Sequence, residues 1–147
     1  MRSFRIITMA TIFYLLTGAA SGAAGSPNFS GHWVLDPGAS KLSYKPETSQ
    51  TMDITQKDST LIVVATTGNV KETHKYALDG STTKENVEGM MTVEICAKWQ
   101  GSSLELTTSA GGTKSSQTWQ LVDNGKTLEI DSTSMRSRKE QYMYRKN

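Results

Sequence analysis

The residues with the most reactive side chains are two histidines, His32 and His74, and a single cysteine, Cys96. Glu72 stands two positions before His74, so on a β-strand the two side chains would share one face and could orient a ligand or transfer a proton. A solvent-facing or mutually satisfied polar pair is the other interpretation. Because neither histidine has a nucleophile or a second carboxylate at a recognised catalytic spacing, the sequence predicts no catalytic residues and no enzyme.

Metal and cofactor sites are not indicated either. His74 and Cys96 do not stand at a spacing typical of metal ligands, so we expect no metal and no cofactor. Cys96 lies in the alternating apolar segment MMTVEICAKW and is predicted to be buried and inert. The run 111–114, GGTK, lacks the rest of a phosphate-binding loop and is interpreted as a hairpin turn.

The elements that would position these residues are β-strands. Beyond residue 25, apolar and polar residues alternate, and turn residues such as Gly68-Asn69 and Asp79-Gly80 interrupt the pattern at short intervals. This pattern predicts about eight to ten strands joined in sequence order. Residues 60–67 are apolar on both faces and are predicted to be covered on both sides.

We therefore predict an all-β fold, an antiparallel up-and-down meander of about eight to ten strands closed as a small barrel. A β-sandwich is the alternative, although only residues 36–48 are long enough for one of its crossing connections. This irregular stretch is expected to lie over one end of the fold.

An aromatic set shares the apolar parity of its strands and would converge on the barrel interior. With the polar pair, it gives the candidate ligand-binding residues Glu72, His74, Tyr76, Trp99, Trp119, Tyr142 and Tyr144. A completely filled core is the competing interpretation.

The N-terminal segment has the pattern of a secretion signal. Arg2 and Arg5 precede an apolar run over residues 6–16, which is too short for a permanent membrane span of roughly 20 residues. We predict a signal peptide over 1–24, a barrel domain over 25–147, and a periplasmic or secreted destination. Without the two signal arginines the 16 basic residues fall to 14, equal to the 14 acidic ones, so nucleic acid is not an expected partner.

The start of the predicted domain, NFSGHWVLDP at residues 28–37, resembles the opening of small exported bacterial lipocalin-like, calycin-type proteins. It contains the Gly-x-Trp element, here Gly31 and Trp33, with which such barrels begin. The resemblance implies that Gly31 lets the first strand bend and that Trp33 closes the base. It further implies that a basic residue near the C-terminus covers the tryptophan, for which Arg138, Arg136 and Arg145 are the candidates.

Two functional hypotheses follow. The first is an exported, monomeric, lipocalin-like domain that holds a small apolar or amphipathic molecule in its barrel. The second is a protein-interaction or inhibitor module that uses the rim loops 36–48 and 81–90. Fold alone does not choose between them.

Overall fold

A computed structural model of the chain describes residues 25–87 and 91–147. The predicted signal peptide over 1–24 lies outside the described residues, as do residues 88–90 of the predicted second rim loop. Within the described part, no helix has the length and apolar character needed to cross a membrane.

Ten antiparallel strands form one sheet in which most strands pair with their neighbours in the chain. The strands are β1 (Gly31–Leu35), β2 (Gln50–Lys57), β3 (Thr60–Thr67), β4 (Val70–Ala77), β5 (Thr82–Val87), β6 (Met91–Gln100), β7 (Ser103–Ala110), β8 (Thr113–Val122), β9 (Thr127–Thr133) and β10 (Lys139–Lys146). A short 3-10 turn, Asp123–Gly125, joins β8 to β9.

The sheet curls into a nearly closed barrel because β1 pairs with both β2 and β10. The two ends of the sheet are β4 and β5, which follow each other in the chain and approach without a ladder of hydrogen bonds. The predicted all-β meander and barrel are confirmed, and the sandwich alternative is wrong. Residues 36–49 are irregular and run beside β10, where Lys41 forms an isolated bridge with Gln141.

The two ends of the barrel differ. The end that we call the mouth carries the described loops 36–49, 68–69, 111–112 and 134–138, and the opposite end, which we call the base, carries the remaining described turns. Inward-facing residues alternate with outward-facing ones along every strand, as the strand period requires. Each strand therefore contributes one row of side chains that runs from mouth to base.

Aromatic side chains close the base. Phe29 and Trp33 are completely buried, and the Trp33 Nε1 donates a hydrogen bond of 2.8 Å to the Phe29 carbonyl. The Phe29 ring stacks on Trp99 at a centroid distance of 5.7 Å and meets the edge of Trp119 at 6.1 Å. Gln56 at the end of β2 accepts a hydrogen bond from the Phe29 amide, which fixes this plug to the sheet.

Gly31 and the C-terminal end of β10 shape the same region. Gly31 has a φ of +148°, and a Cβ added there would lie 2.9 Å from the Lys146 Cε. The Lys146 Nζ lies 5.3 Å from the centre of the Trp33 ring, in a cation–π geometry. The basic residue over the tryptophan is therefore Lys146, and the prediction for Arg138 is wrong. Arg138 lies at the mouth, because antiparallel β10 begins there.

Two other burial predictions are wrong for one reason, namely that none of the residues 25–87 and 91–147 forms a second layer over the outside of the barrel. On β3 only the inward side chains are packed, and the outward Ile62 is 37% exposed. On β6 the inward row includes Ile95 and Ala97, so Cys96 faces outward and is partly exposed, with its Sγ 3.3 Å from the Gly80 carbonyl oxygen.

Candidate functional site

The barrel interior is filled at the base and hollow nearer the mouth. A cavity of about 190 Å³ lies between β2, β3, β4, β8, β9 and β10. Its walls are Met52, Val63, Ala65, His74, Tyr76, Gln117, Trp119, Ile130, Tyr142 and Tyr144. The sequence left open whether the interior is full, and the structure shows that it is only partly filled.

The cavity has apolar walls and a small number of polar groups. Cross-strand neighbours Met52 and Ala65 form one wall, and Trp119 and Ile130 form another. The Trp119 Nε1 donates a hydrogen bond of 2.9 Å to the Gln117 Oε1, so the amide nitrogen of Gln117 remains available as a donor. Apolar surface with a few oriented polar groups is the usual make-up of a ligand pocket.

The β4 side of the cavity carries three polar residues in one row. His74 and Tyr76 stack with ring centroids 6.2 Å apart. Glu72, one inward position closer to the mouth, has its Oε2 at 3.7 Å from the His74 Nε2, and its side chain is 67% exposed. The predicted pairing of Glu72 with His74 is present, at the top of the cavity rather than deep within it.

A second polar group lies opposite on β10. The Tyr142 hydroxyl donates a hydrogen bond of 2.6 Å to the Glu140 Oε2. The other oxygen of Glu140 accepts hydrogen bonds from both the amide and the hydroxyl of Ser43, in the mouth loop 36–49. Arg138 in turn donates to the Ser43 hydroxyl at 3.3 Å. This chain of contacts fastens the mouth loop to the strand that lines the cavity.

The ionisation of these residues reflects their burial and their hydrogen bonds. Hydrogen bonds from Ser43 and Tyr142, with a weaker contribution from the charge of Arg138, hold the pKa of Glu140 below its usual value, so this carboxylate is charged at neutral pH. Burial, followed by the nearby carboxylate of Glu85, raises the pKa of Tyr76 to about 12.

The pKa values of two further tyrosines are also raised. Burial raises the pKa of Tyr144 to about 12. Burial and the hydrogen bond to Glu140 raise the pKa of Tyr142 well above its usual range. The phenols of the cavity are therefore neutral hydrogen-bonding groups at ordinary pH.

The structure brings together most of the predicted ligand-binding residues. His74, Tyr76, Trp119, Tyr142 and Tyr144 line the cavity. Glu72 lies above it, and Trp99 belongs to the packed base, where its ring is occupied by Phe29.

Other lining residues were not predicted. Gln117 shares the inward parity of Trp119, so alternation alone could have placed it inside. Glu140 does not line the cavity but shares the inward parity of Tyr142 and lines the mouth above it. Ala65 gave no signal, because a small residue is recognisable as a cavity wall only when the space beside it is known.

The mouth itself is wide and has both polar and apolar parts. A depression of about 460 Å³ is lined by Ser115, Ser132, Ser134, Met135, Arg136, Arg138 and Glu140. Ser115, Ser132 and Glu140 are the next inward-facing residues above Gln117, Ile130 and Tyr142. The large hydrophobic side chains that the described residues expose are Tyr44, Ile62, Val70, Met91 and Met135, and all except Ile62 lie around the mouth.

Chemistry based on a metal has no support from the residues 25–87 and 91–147. They contain no group of three histidine, cysteine, aspartate or glutamate side chains placed to hold a metal ion. The outward-facing pair of His32 and Asp53, with 2.6 Å between Nδ1 and Oδ1, lies on the far side of the sheet from the cavity.

Known proteins resemble this chain in structure but not in sequence. No protein-family model matches the chain, and no curated protein matches it in sequence. Among solved structures, a mutant of the fluorescent protein UnaG is similar with a TM-score of 0.66 and 19% identity, over 81% of this chain and 96% of that one.

Two further structures give the same result. The REP1-NXSQ fatty acid transporter has a TM-score of 0.64 at 11% identity, over 80% of this chain and 95% of its own. Wild-type UnaG has a TM-score of 0.64 at 17% identity, over 81% and 97% of the two chains. The chain therefore shares its barrel fold with these three structures.

Proposed function

We propose that this chain is an exported binding protein that takes a small amphipathic molecule into the mouth half of its barrel. The observation that carries the proposal is the partly filled interior, in which an apolar cavity opens below polar side chains of the mouth. Export rests on the signal pattern over residues 1–24. The structural similarity to the REP1-NXSQ fatty acid transporter supports binding rather than catalysis.

The size of the cavity limits the ligand. A cavity of about 190 Å³ is larger than the roughly 150 Å³ engineered site that holds benzene and smaller than the roughly 300 Å³ at which typical ligand pockets begin. It suits the apolar end of an amphipathic molecule, such as one substituted ring or a short alkyl chain. The polar end would then lie among the residues of the mouth.

A titration with N-phenylnaphthylamine, an uncharged dye that fluoresces in apolar surroundings, tests the proposal. We expect saturable binding of one dye per chain. Ala65→Phe should abolish it, because the new ring would occupy the cavity. Thr66→Phe is the matched control, since Thr66 faces outward on the same strand and this variant should bind normally. Absence of saturable binding, or equal loss in both variants, would count against the proposal.

A second candidate is a protein-interaction module that uses the mouth rim, and the exposed apolar side chains there favour it. Val70 and Met91 are 61% and 50% exposed. If the rim binds a protein partner, replacing both by serine should abolish capture of that partner, whereas Ile62→Ser should leave it unchanged. Ile62 is the matched control because it is exposed away from the mouth. Equal capture by both variants would reject this candidate.

A further inference from the structure

Three glutamates of the mouth half face the barrel interior, whereas the lysines next to them in the chain face outward. The register places Glu72, Glu85 and Glu140 inward, opposite Ala65, Val93 and Ser132 respectively. The lysines of the same strands, Lys71, Lys84 and Lys139, have the opposite parity and face outward. Among the described strand residues of the mouth half, no lysine or arginine occupies an inward position. The described strands thus present carboxylates and no basic side chain to the interior of the mouth half, whereas the exterior carries both signs, as the outward pair of Lys84 and Glu94 shows.

The three carboxylates stand on three different strands, each next to a residue that lines the cavity but outside the lining itself. Glu140 stands on β10 directly above Tyr142, to which it is hydrogen-bonded. Glu85 stands on β5 and is close enough to Tyr76 for its charge to raise the pKa of that phenol. Glu72 stands on β4 beside His74. A polar group that rises from the cavity therefore meets neutral hydroxyl and amide groups first and carboxylates next.

We propose that the barrel selects amphipathic molecules with a protonated amine or other hydrogen-bond-donating head group and disfavours carboxylates. This rests on the proposed binding function and specifies the ligand of the same site. A carboxylate brought beside Glu140 and Glu85 is repelled, and in a partly dehydrated site the repulsion is stronger than in water. An ammonium group there gains two or three acidic neighbours and can donate to the hydroxyl oxygens of Tyr76 and Tyr142.

The arginines of the mouth define the competing possibility. Arg138 and Arg136 line the open depression above Glu140, and Arg138 is hydrogen-bonded to Ser43. They lie in the loop between β9 and β10, outside the ring of carboxylates. A carboxylate ligand that reached them would place its head at the rim. Its binding would then depend on Arg138 and would be insensitive to Glu85.

Displacement of bound N-phenylnaphthylamine by decylamine, decanol and decanoate at neutral pH tests the inference. The three share one tail and differ only in the head group. We expect decylamine to displace the dye at a concentration at least about tenfold lower than decanoate, with decanol between them. If the dye itself does not bind, the proposed function fails. If the dye binds and decanoate competes as well as decylamine or better, only the present inference is overturned.

Two variants locate the effect. Glu85→Gln and Glu140→Gln should each reduce, several-fold, the ratio of the concentrations at which decanoate and decylamine displace the dye. The concentration of decanol that displaces the dye should not change. Glu94→Gln is the matched control, because Glu94 faces outward and pairs with Lys84 at 3.0 Å. Failure of both inward variants to change the ratio, or a loss of decanoate binding in Arg138→Ala alone, would contradict the inference.

Discussion

The base and the mouth of the barrel are built from the same ten strands but from different residues. At the base, aromatic and aliphatic side chains from the first and last strands pack closely together, and Phe29, Trp33 and Leu128 are almost entirely inaccessible. In the mouth half the same inward rows carry histidine, tyrosine, glutamine, serine and glutamate. Since polar inward residues do not contribute to a core, their presence indicates that this half is adapted to something other than stability.

The largest expected effect is a difference between the base and the mouth half in how much a substitution lowers the free energy of unfolding. Trp33→Ala removes a completely buried ring that holds the Phe29 plug, so the free energy of unfolding should fall by about 3–5 kcal/mol. Tyr142→Phe in the mouth half removes one hydrogen bond from a partly exposed group and should cost about 1 kcal/mol or less. Urea denaturation followed by circular dichroism measures both. Similar losses would mean that the two halves are one uniform core.

The same substitution in each half should give different results. Ala97 is 1% exposed within the packed base, so Ala97→Leu should overpack it and lower the free energy of unfolding by about 1–3 kcal/mol. Ala65 borders the cavity, so Ala65→Leu should fit with little or no loss of stability.

Both variants are measured by urea denaturation and by titration with N-phenylnaphthylamine. Ala65→Leu should weaken dye binding, and Ala97→Leu should not. If Ala65→Leu proves as destabilising as Ala97→Leu, the space beside Ala65 is not available to a side chain.

This contrast also shows how far the sequence leads. Alternation and turn residues predict the strands, because each strand has one face toward solvent and one toward the interior. They also correctly place Tyr76, Trp119 and Tyr142 inside. They do not separate Trp99, which packs in the base, from Trp119, which borders a cavity. That distinction depends on Phe29 folding back onto Trp99, a long-range contact that strand periodicity does not encode. The basic residue over Trp33 was missed for a related reason, since register and not residue type selects Lys146.

The start of β1 offers a local test of how the base is closed. Gly31→Ala combines an unfavourable φ with a contact of 2.9 Å to Lys146, so we expect a loss of about 1–3 kcal/mol in the free energy of unfolding. Gly80→Ala is the matched control, because Gly80 also has a positive φ, +80°, but has nothing within 4 Å of an added Cβ. Its loss should be smaller.

The double variant Gly31→Ala, Lys146→Ala separates crowding from backbone strain. If crowding by the lysine side chain matters, the double variant should lose less stability than the sum of its two single variants. Strict additivity would attribute the whole effect of Gly31→Ala to its backbone conformation.

The smallest effect concerns the ionisation of tyrosines in the mouth half. The folded-state pKa values of Tyr76 and Tyr144, about 12, lie above the usual 10.0, so the folded protein favours the protonated phenols. Their contribution to stability is complete below pH 10.0 and is lost as the pH rises from there through about 12. Alkaline titration followed by phenolate absorbance should therefore show late-ionising tyrosines, and Tyr76→Phe should remove one of them.

Glu85→Gln should bring the pKa of Tyr76 closer to its usual value and leave the pKa of Tyr144 unchanged, because only Tyr76 is close to that carboxylate. A titration curve identical to that of the parent protein would mean that Glu85 does not face the interior, and the acidic ring at the mouth would lose one of its three members.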